Sequence, residues 1–174
     1  MGKKISFVLS VLEIDRAMRE LDQYKRDFVR KMDLLRERVA ERLADESNKG
    51  FSGAIVDDLL QKSGGPRLAE VTVSVEHKSG SSLVIASGED AIWVEFGAGV
   101  YHNGSAGSSP HPKGTELGFT IGGYGKGDGK KNIWGYYSDG ELKLTHGTPA
   151  KMPMYRAVQT VCNEIASIAK EVFG

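Results

Sequence analysis

The strongest constraint in this sequence is a long apolar stripe with a helical period. Ile14, Met18, Leu21, Tyr24, Phe28, Met32, Leu35, Val39 and Leu43 recur in steps of three and four residues. Their mean step is close to the 3.6 of an amphipathic α-helix rather than the 3.5 of a sustained coiled coil. The other side alternates in sign through Arg16, Glu20, Asp22, Arg26, Asp27 and Arg30, as a solvated helix surface does. Asp15 is the expected N-cap, and Ser47-Asn48-Lys49-Gly50 the expected stop. At 1.5 Å per residue the helix spans about 50 Å. A compact globule of 174 residues has a diameter of about 40 Å. The helix therefore overhangs its own domain, and its end must bend or rest on something else.

The rest of the chain alternates between strand and helix patterns. Ile5, Phe7, Leu9 and Val11 predict one face of an N-terminal strand. Two serines break this run, Glu13, Asp15 and Arg16 follow at once, and no small-residue cleavage site is present, so it does not read as a signal peptide. Ala54–Leu60 predicts a short amphipathic helix ending at Gly64-Gly65-Pro66. Val71, Val73 and Val75, a turn at Gly80-Ser81 and Leu83–Ala86 predict an antiparallel hairpin. Ile92, Val94 and Phe96 alternate with Trp93 and Glu95 and predict another strand. Ile133–Tyr137, Asp139-Gly140 and Leu142–Leu144 predict a second hairpin. Met154, Val158, Val161, Ile165, Ile168 and Val172 predict a C-terminal helix, with Pro153 in its first turn. The expected class is α+β, an antiparallel sheet packed by a long N-terminal and a C-terminal helix, in one domain over 1–174. No internal repeat is present.

Between these elements lies a compositional anomaly. Residues 97–140 hold 13 of the 22 glycines, and 97–132 contain too few large apolar groups for a core of their own. A loop of this length in a small domain usually carries function. Tyr101, Lys113, Phe119, Tyr124, Lys126, Lys130 and Lys131 could form one adaptable contact surface that orders on docking.

Composition narrows the function classes. Lys and Arg total 23 against 23 Asp and Glu, which disfavours a protein that grips nucleic-acid phosphates. The single cysteine, Cys162, excludes an intrachain disulfide. No stretch approaches the ~18 apolar residues of a membrane span, and the expectation is a soluble protein of cytosolic type. Asn103-Gly104-Ser105 is a glycosylation sequon that would then meet no glycosylating enzyme.

The candidate chemical motifs each have a plainer reading. His102 and His111 flank the loop near Glu95, and His146 follows the second hairpin, without zinc-ligand spacing. Exposed loop histidines are the commoner outcome. Gly104-Ser105-Ala106-Gly107 is not a nucleophile elbow, and Cys162 reads as a small helix-face hydrophobe. The carboxylate pairs Asp57-Asp58 and Glu89-Asp90 read as solvated. Gly123 to Lys131 imitates a phosphate cradle but fails its spacing, with Tyr124 where the first glycine belongs and Lys131 where Ser or Thr belongs.

Several short segments occur in one order: Trp93-Val94-Glu95-Phe96-Gly97-Ala98-Gly99, His111-Pro112, Gly118, Trp134 with Tyr136-Tyr137, Asp139-Gly140, and His146-Gly147-Thr148-Pro149-Ala150-Lys151-Met152-Pro153-Met154. With the strand–long helix start, this order resembles the head–tail joining (neck, or tail-completion) family of tailed phages. The resemblance runs over nearly the whole chain, and its most specific parts are E-F-G-x-G and H-G-x-P-A-x-x-P-M. Many members carry an A-P-x-x-T-G-x-L segment before the first central strand, which Ser47–Pro66 lacks.

The resemblance implies a non-enzymatic virion component, assembled in the host cytoplasm, that forms a homo-oligomeric ring between head connector and tail. It implies other neck, connector and tail proteins as partners, and DNA passing through the lumen without specific binding. No cofactor, metal, membrane or small-molecule substrate is implied. Glu95, Phe96, Gly97, Gly99, His146, Gly147, Pro149 and Pro153 become structural signatures, with Glu95 expected to accept hydrogen bonds from loop N–H groups. Loop 97–132 is expected to reach an adjacent subunit or ring. The alternatives are a small metal-dependent or hydrolytic enzyme using His102, His111 and Glu95, and a protein-binding module outside any virion.

Overall fold

The structure is a computed structural model, and it describes residues 10–58, 65–97, 101–102, 105–106, 109–120, 133–138 and 140–174. The first helix, α1, runs over Val11–Phe51, 41 residues. It begins earlier than the stripe suggests. Ser10 is the N-cap, and its Oγ accepts from the Glu13 N–H at 3.3 Å. The S-x-x-E spacing of Ser10 and Glu13 is that of a capping box, and it places Val11 in a helix rather than in the expected strand. Ile5, Phe7 and Leu9 lie outside the described residues. Asp15 is consequently inside the first turns and not the cap.

The helix also passes through its expected stop. Ser47 is buried, and its hydroxyl donates back to the Leu43 carbonyl at 2.7 Å, so it sits within the helix without an orphaned polar group. Gly50 is retained inside because Pro153 lies against it. The chain leaves the helix at Ser52, whose N–H bonds the Asn48 carbonyl at 2.8 Å.

Four antiparallel strand pairs follow among the described residues, separate two-stranded ladders rather than one continuous sheet. Strand β1 (Ile55–Asp58) pairs with β2 (Gly65–Leu68). This replaces the short helix expected over Ala54–Leu60; Leu59 and Leu60 are not described. The physical reason is a period of two: Ala54 and Val56 are buried while Ile55 between them is 50% exposed, a spacing that only extended backbone produces. Strands β3 (Thr72–Lys78) and β4 (Ser81–Ser87) form the expected hairpin, with Lys78 opposite Ser81 and Gly80 at φ 79° in the turn.

The second correction is α2, a helix over Ala91–Phe96 where a strand is expected. Val94 and Glu95, neighbours in sequence, are both buried while Ile92 is 45% exposed. A strand would have sent Val94 and Glu95 to opposite faces. The helical turn brings both inside, and this tertiary gain overrides the weak local β preference.

Strands β5 (Tyr101–His102) and β6 (Ser105–Ala106) form a two-residue ladder. Strands β7 (Trp134–Ser138) and β8 (Glu141–Thr145) form the predicted second hairpin, with Gly140 at φ 78°. Helix α3 spans Pro153–Phe173 with Pro153 in its first turn, as expected. The class is α+β.

The core joins Phe51, Ala54, Val56 and Val94, with Val71, Val73, Ala86 and Met154 packed around them. Helix α3 lies antiparallel along the C-terminal half of α1. At one end, a Cβ on Gly50 would stand 2.6 Å from Pro153 Cβ; at the other, the Phe28 and Phe173 rings meet at 5.9 Å. Between them Arg42 bridges the helices. It donates to both Glu164 oxygens at 2.8 and 3.0 Å and also to Glu46. The Arg42 guanidinium holds the Glu164 carboxyl below the usual carboxylate range; Glu46 is lowered by Lys49 first and Arg42 second.

Two predictions follow from this helix pair. In a helix interior Ala is favoured over Gly by about 1 kcal/mol. The rigid Pro153 ring reverses that sign, because overpacking costs about 1–3 kcal/mol. With contact at 2.6 Å, the upper part of that range applies: Gly50→Ala should lower the urea midpoint, where an open helix site would raise it. The acid response has a definite sign. A carboxylate with a depressed folded pKa stabilises above its unfolded value and loses that contribution as pH falls through the folded one. The Tm gap between wild type and Arg42→Ala should therefore narrow between about pH 6 and about pH 3, followed by thermal melts.

Candidate functional site: a buried carboxylate at the head of helix α3

Helix α3 begins in an unusual way. The residue at its N-cap position, Met152, has φ 54° and ψ 46° and makes no side-chain cap. It is the non-glycine residue with positive φ among those described. Pro153 at the first helical position has no N–H to satisfy, but the next two residues do.

Their partner comes from α2. Glu95 Oε2 accepts from the Met154 N–H at 2.8 Å, and Oε1 accepts from the Tyr155 N–H at 2.9 Å. A side chain almost 60 positions earlier thus performs the task usually given to an N-cap Ser or Asp. Its negative charge stands at the positive end of the α3 dipole. Glu95 is buried, so these charge-assisted bonds form in a shielded environment.

A third polar group stands beside this carboxylate. His111 Nε2 lies 3.3 Å from Glu95 Oε1. The other ring nitrogen, Nδ1, accepts from the Lys113 N–H at 3.0 Å. A nitrogen that accepts an N–H carries no proton of its own, so this network assigns the ring proton to Nε2, facing the carboxylate. The imidazole is wedged between Phe96 at 4.3 Å and Tyr155 at 5.3 Å, and Phe96 stacks on Phe119 at 4.5 Å.

The expected signature residues converge here. Gly97, at φ 83°, ends α2, and its N–H bonds the Trp93 carbonyl at 2.8 Å. A Cβ at Gly97 would stand 3.1 Å from Ala150 N and 3.2 Å from Thr148 O. The Lys151 N–H bonds the Val94 carbonyl at 2.8 Å. Val94, Glu95 and Gly97 therefore meet the segment from Thr148 to Tyr155, although about fifty residues separate the two. The expected acceptor role of Glu95 is met by helix-start N–H groups rather than loop ones. His146 and Pro149 lie at the exposed margin, and Gly147 donates to the Thr145 hydroxyl at 2.9 Å. Gly99 lies outside the described residues.

The expected inter-subunit contacts divide differently. Phe119 is buried at 7% exposure, stacked on Phe96 and edge-on to Trp93. It is a core residue of this chain and not free to meet a neighbour. The segment 109–120 is bound into the fold: the Ser109 N–H bonds the Phe119 carbonyl at 2.9 Å, and the Ser109 hydroxyl donates to the Phe96 carbonyl. Removal of the whole of 97–132 would therefore uncover Phe96 and strip His111 from Glu95. Lys113 is exposed, Tyr101 opens β5, and Tyr124, Lys126, Lys130 and Lys131 lie outside the described residues.

For the metal-site alternative, Glu95 and His111 are neighbours, and both Glu95 oxygens are already engaged by N–H donors. His102 lies in β5, with its side chain outside the described set. Among the described residues no three His, Cys, Asp or Glu side chains converge, and no helix is long and apolar enough to cross a membrane.

The signal that sequence reasoning lacked was the partner of Glu95. A buried acid beside a phenylalanine and a glycine predicts an acceptor, while the donor helix is identified only by tertiary contact. No family model matches the chain, and no curated protein or solved structure does either.

Glu95→Gln keeps the shape but turns one carboxylate acceptor into a donor facing another N–H. A hydrogen bond to a charged group contributes about 1.5–3 kcal/mol. We expect a loss of about 2 kcal/mol, roughly 4–8 °C in a domain of this size, read by thermal and urea unfolding. A change below about 0.5 kcal/mol would mean that the carboxylate charge is not what holds α3.

Proposed function

We propose that the protein is a structural adaptor of a tailed-phage neck, forming a ring between head connector and tail and acting without catalysis. The observation that carries this reading is the overhang of α1. Helix α3 covers α1 only from Phe28 onward, so residues 11–27 project about 25 Å beyond it. Along that projection Val11 is 80% exposed, Met18 59% and Leu21 46%. A solvent-facing apolar stripe of this length marks a surface that another protein covers.

Two further observations agree. The E-F-G and H-G-x-P-A-x-x-P-M segments, which carry the family resemblance, pack on each other as a frame that sets the direction of α3. The buried polar groups at that frame are engaged in holding it. Equal numbers of acidic and basic residues suit close packing of like subunits, with DNA passing through the lumen unread. In this reading the partners are copies of the chain itself and the adjoining neck, connector and tail proteins, and the place of action is the virion.

The test retains 109–120, because that segment belongs to the fold. A Gly-Ser replacement of 121–131 is first checked by the thermal melt of the purified protein, so that an assembly defect is read in a folded chain. In the phage or prophage that carries the gene, the same change should leave filled heads and finished tails unjoined, seen by negative-stain microscopy. Normal particles from a complete gene deletion would overturn the assignment.

A further inference from the structure

The exposed stripe of α1 carries, along one flank, a charge pattern that selects its partner. At about 100° per residue, Asp15, Arg19, Asp22 and Arg26 fall within about 60° of arc beside Ile14, Met18, Leu21 and Lys25. All four are exposed. Phe28, Lys31, Arg38 and Arg42, which reach α3, lie toward the other flank. The charged flank is therefore on the side that α3 leaves open, where Val29 and Met32 are also exposed.

Along the chain this flank reads acid, base, acid, base; backwards it reads base, acid, base, acid. Two copies laid antiparallel about a two-fold axis near Leu21 consequently set Asp15 by Arg26 and Asp22 by Arg19, twice each. The same register aligns Ile14 with Phe28 and Leu21 with its own copy. Lys25 comes opposite Ala17 and Met18, where its aliphatic stem lies on the stripe and its ammonium reaches water. On the outer face of α1, Arg16 pairs with Glu20 at 3.5 Å and Arg30 with Asp27 at 3.9 Å. Among the described residues, Asp15, Arg19 and Asp22 form no ion pair within the chain.

The competing arrangements juxtapose like charges. Aligning Ile14 with Lys25 sets Asp15 against Asp22 and Arg19 against its own copy. Aligning Ile14 with Met32 sets Asp22 against its own copy and Arg19 against Arg26. A parallel pair sets Lys25 against Lys25. Flanking charges of this kind fix partner and direction in paired helices, and like charges so placed oppose association.

We propose that the free protein pairs through its α1 overhang with the overhang of a second copy, antiparallel about a two-fold axis at Leu21. The contact is isologous, the same patch serving on both sides. The N-terminal turn of each α1 comes level with the C-terminal end of the other copy's α3, opposite ends of two helix dipoles. A two-fold contact closes on itself and propagates no ring, so it belongs to the free chain and stands or falls apart from the neck reading.

The test uses the full-length chain alone. Sedimentation velocity of the wild type should show a dimer that dissociates on dilution. Arg19→Asp with Arg26→Asp makes the flank all acidic, and Asp15→Arg with Asp22→Arg makes it all basic. Both double variants should stay folded, since the four positions are exposed, and should self-associate at least about tenfold more weakly. Mixed in equal amounts, they should form a heterodimer. Direction is read in the Cys162→Ala background. A short bis-maleimide should join Leu21→Cys to its copy and should not join Ile14→Cys, which stands about 20 Å from its copy along the axis. Crosslinking at both positions would overturn the proposal in favour of a parallel pair. Double variants that dimerise as the wild type does, or that fail to pair with each other, would overturn the overhang contact. A wild type that is monomeric at every concentration would overturn the proposal and leave the stripe to a different protein.

Discussion

The start of α3 depends on a carboxylate supplied from elsewhere in the chain. Met152 is in a left-handed conformation that costs roughly 1–2 kcal/mol for a residue with a side chain, and it cannot cap. Pro153 fixes the first helical φ but brings no acceptor. Glu95 answers both needs by accepting from Met154 and Tyr155, and it can do so only if α2 is a helix that ends abruptly. Gly97 provides that ending, and the bond from the Lys151 N–H to the Val94 carbonyl ties the approach to α3 onto the same turn. From there the direction of α3 is set, and with it the contact of Pro153 on Gly50 and the long antiparallel run against α1. The dependence goes from one buried acid outward to the largest helix pair of the molecule.

Long-period patterns were legible from the residues alone. The stripes of α1 and α3 and the two hairpins at Gly80 and Gly140 stand where periodicity and turn chemistry put them. The misplacements are short, and those of Ala91–Phe96 and Ala54–Leu60 have a tertiary cause. Six residues of Ala91–Phe96 alternate like a strand, and nothing local reveals that Val94 and Glu95 must both turn inward. Ala54–Leu60 shows apolar and acidic residues at a spacing compatible with either period, and the pairing of Ile55 with Leu68 settles it. The early start of α1 was readable in principle, since Ser10 and Glu13 have capping-box spacing; the alternation of Ile5 through Val11 masked it. Of the site, the conformational need for Gly97 could be read locally. The partnership of Glu95 with α3 could not, because hydrogen bonds across sixty positions leave no periodic trace.

Phe119 illustrates a different failure. In a glycine-rich stretch poor in apolar residues, a lone aromatic looks like a contact waiting for a partner. It instead closes over Phe96 and Trp93, and its backbone carbonyl holds Ser109. A segment without its own core can still be ordered by lending a single ring to a neighbouring one. The consequence is that His111 is brought to Glu95 by a loop anchored through Phe119, so the loop supports the helix start rather than standing apart from it.

Among the described residues the overhang of α1 lies beyond the cover of α3, and local terms favour its helicity. Ser10 caps it, and Arg16–Glu20 and Gln23–Arg26 form pairs along its exposed side, each contributing a few tenths of a kcal/mol. The packed half beyond Phe28 supplies the nucleus, which is the costly part of helix formation. Extension from that nucleus is close to thermodynamically neutral, so the overhang can be helical while burying little of its stripe. This balance suits a surface used for assembly. A stripe buried at home would be stable but unavailable, and an unstructured segment would have to pay the ordering entropy on docking. A helix grown from a packed base holds its apolar side chains in order before any contact is made.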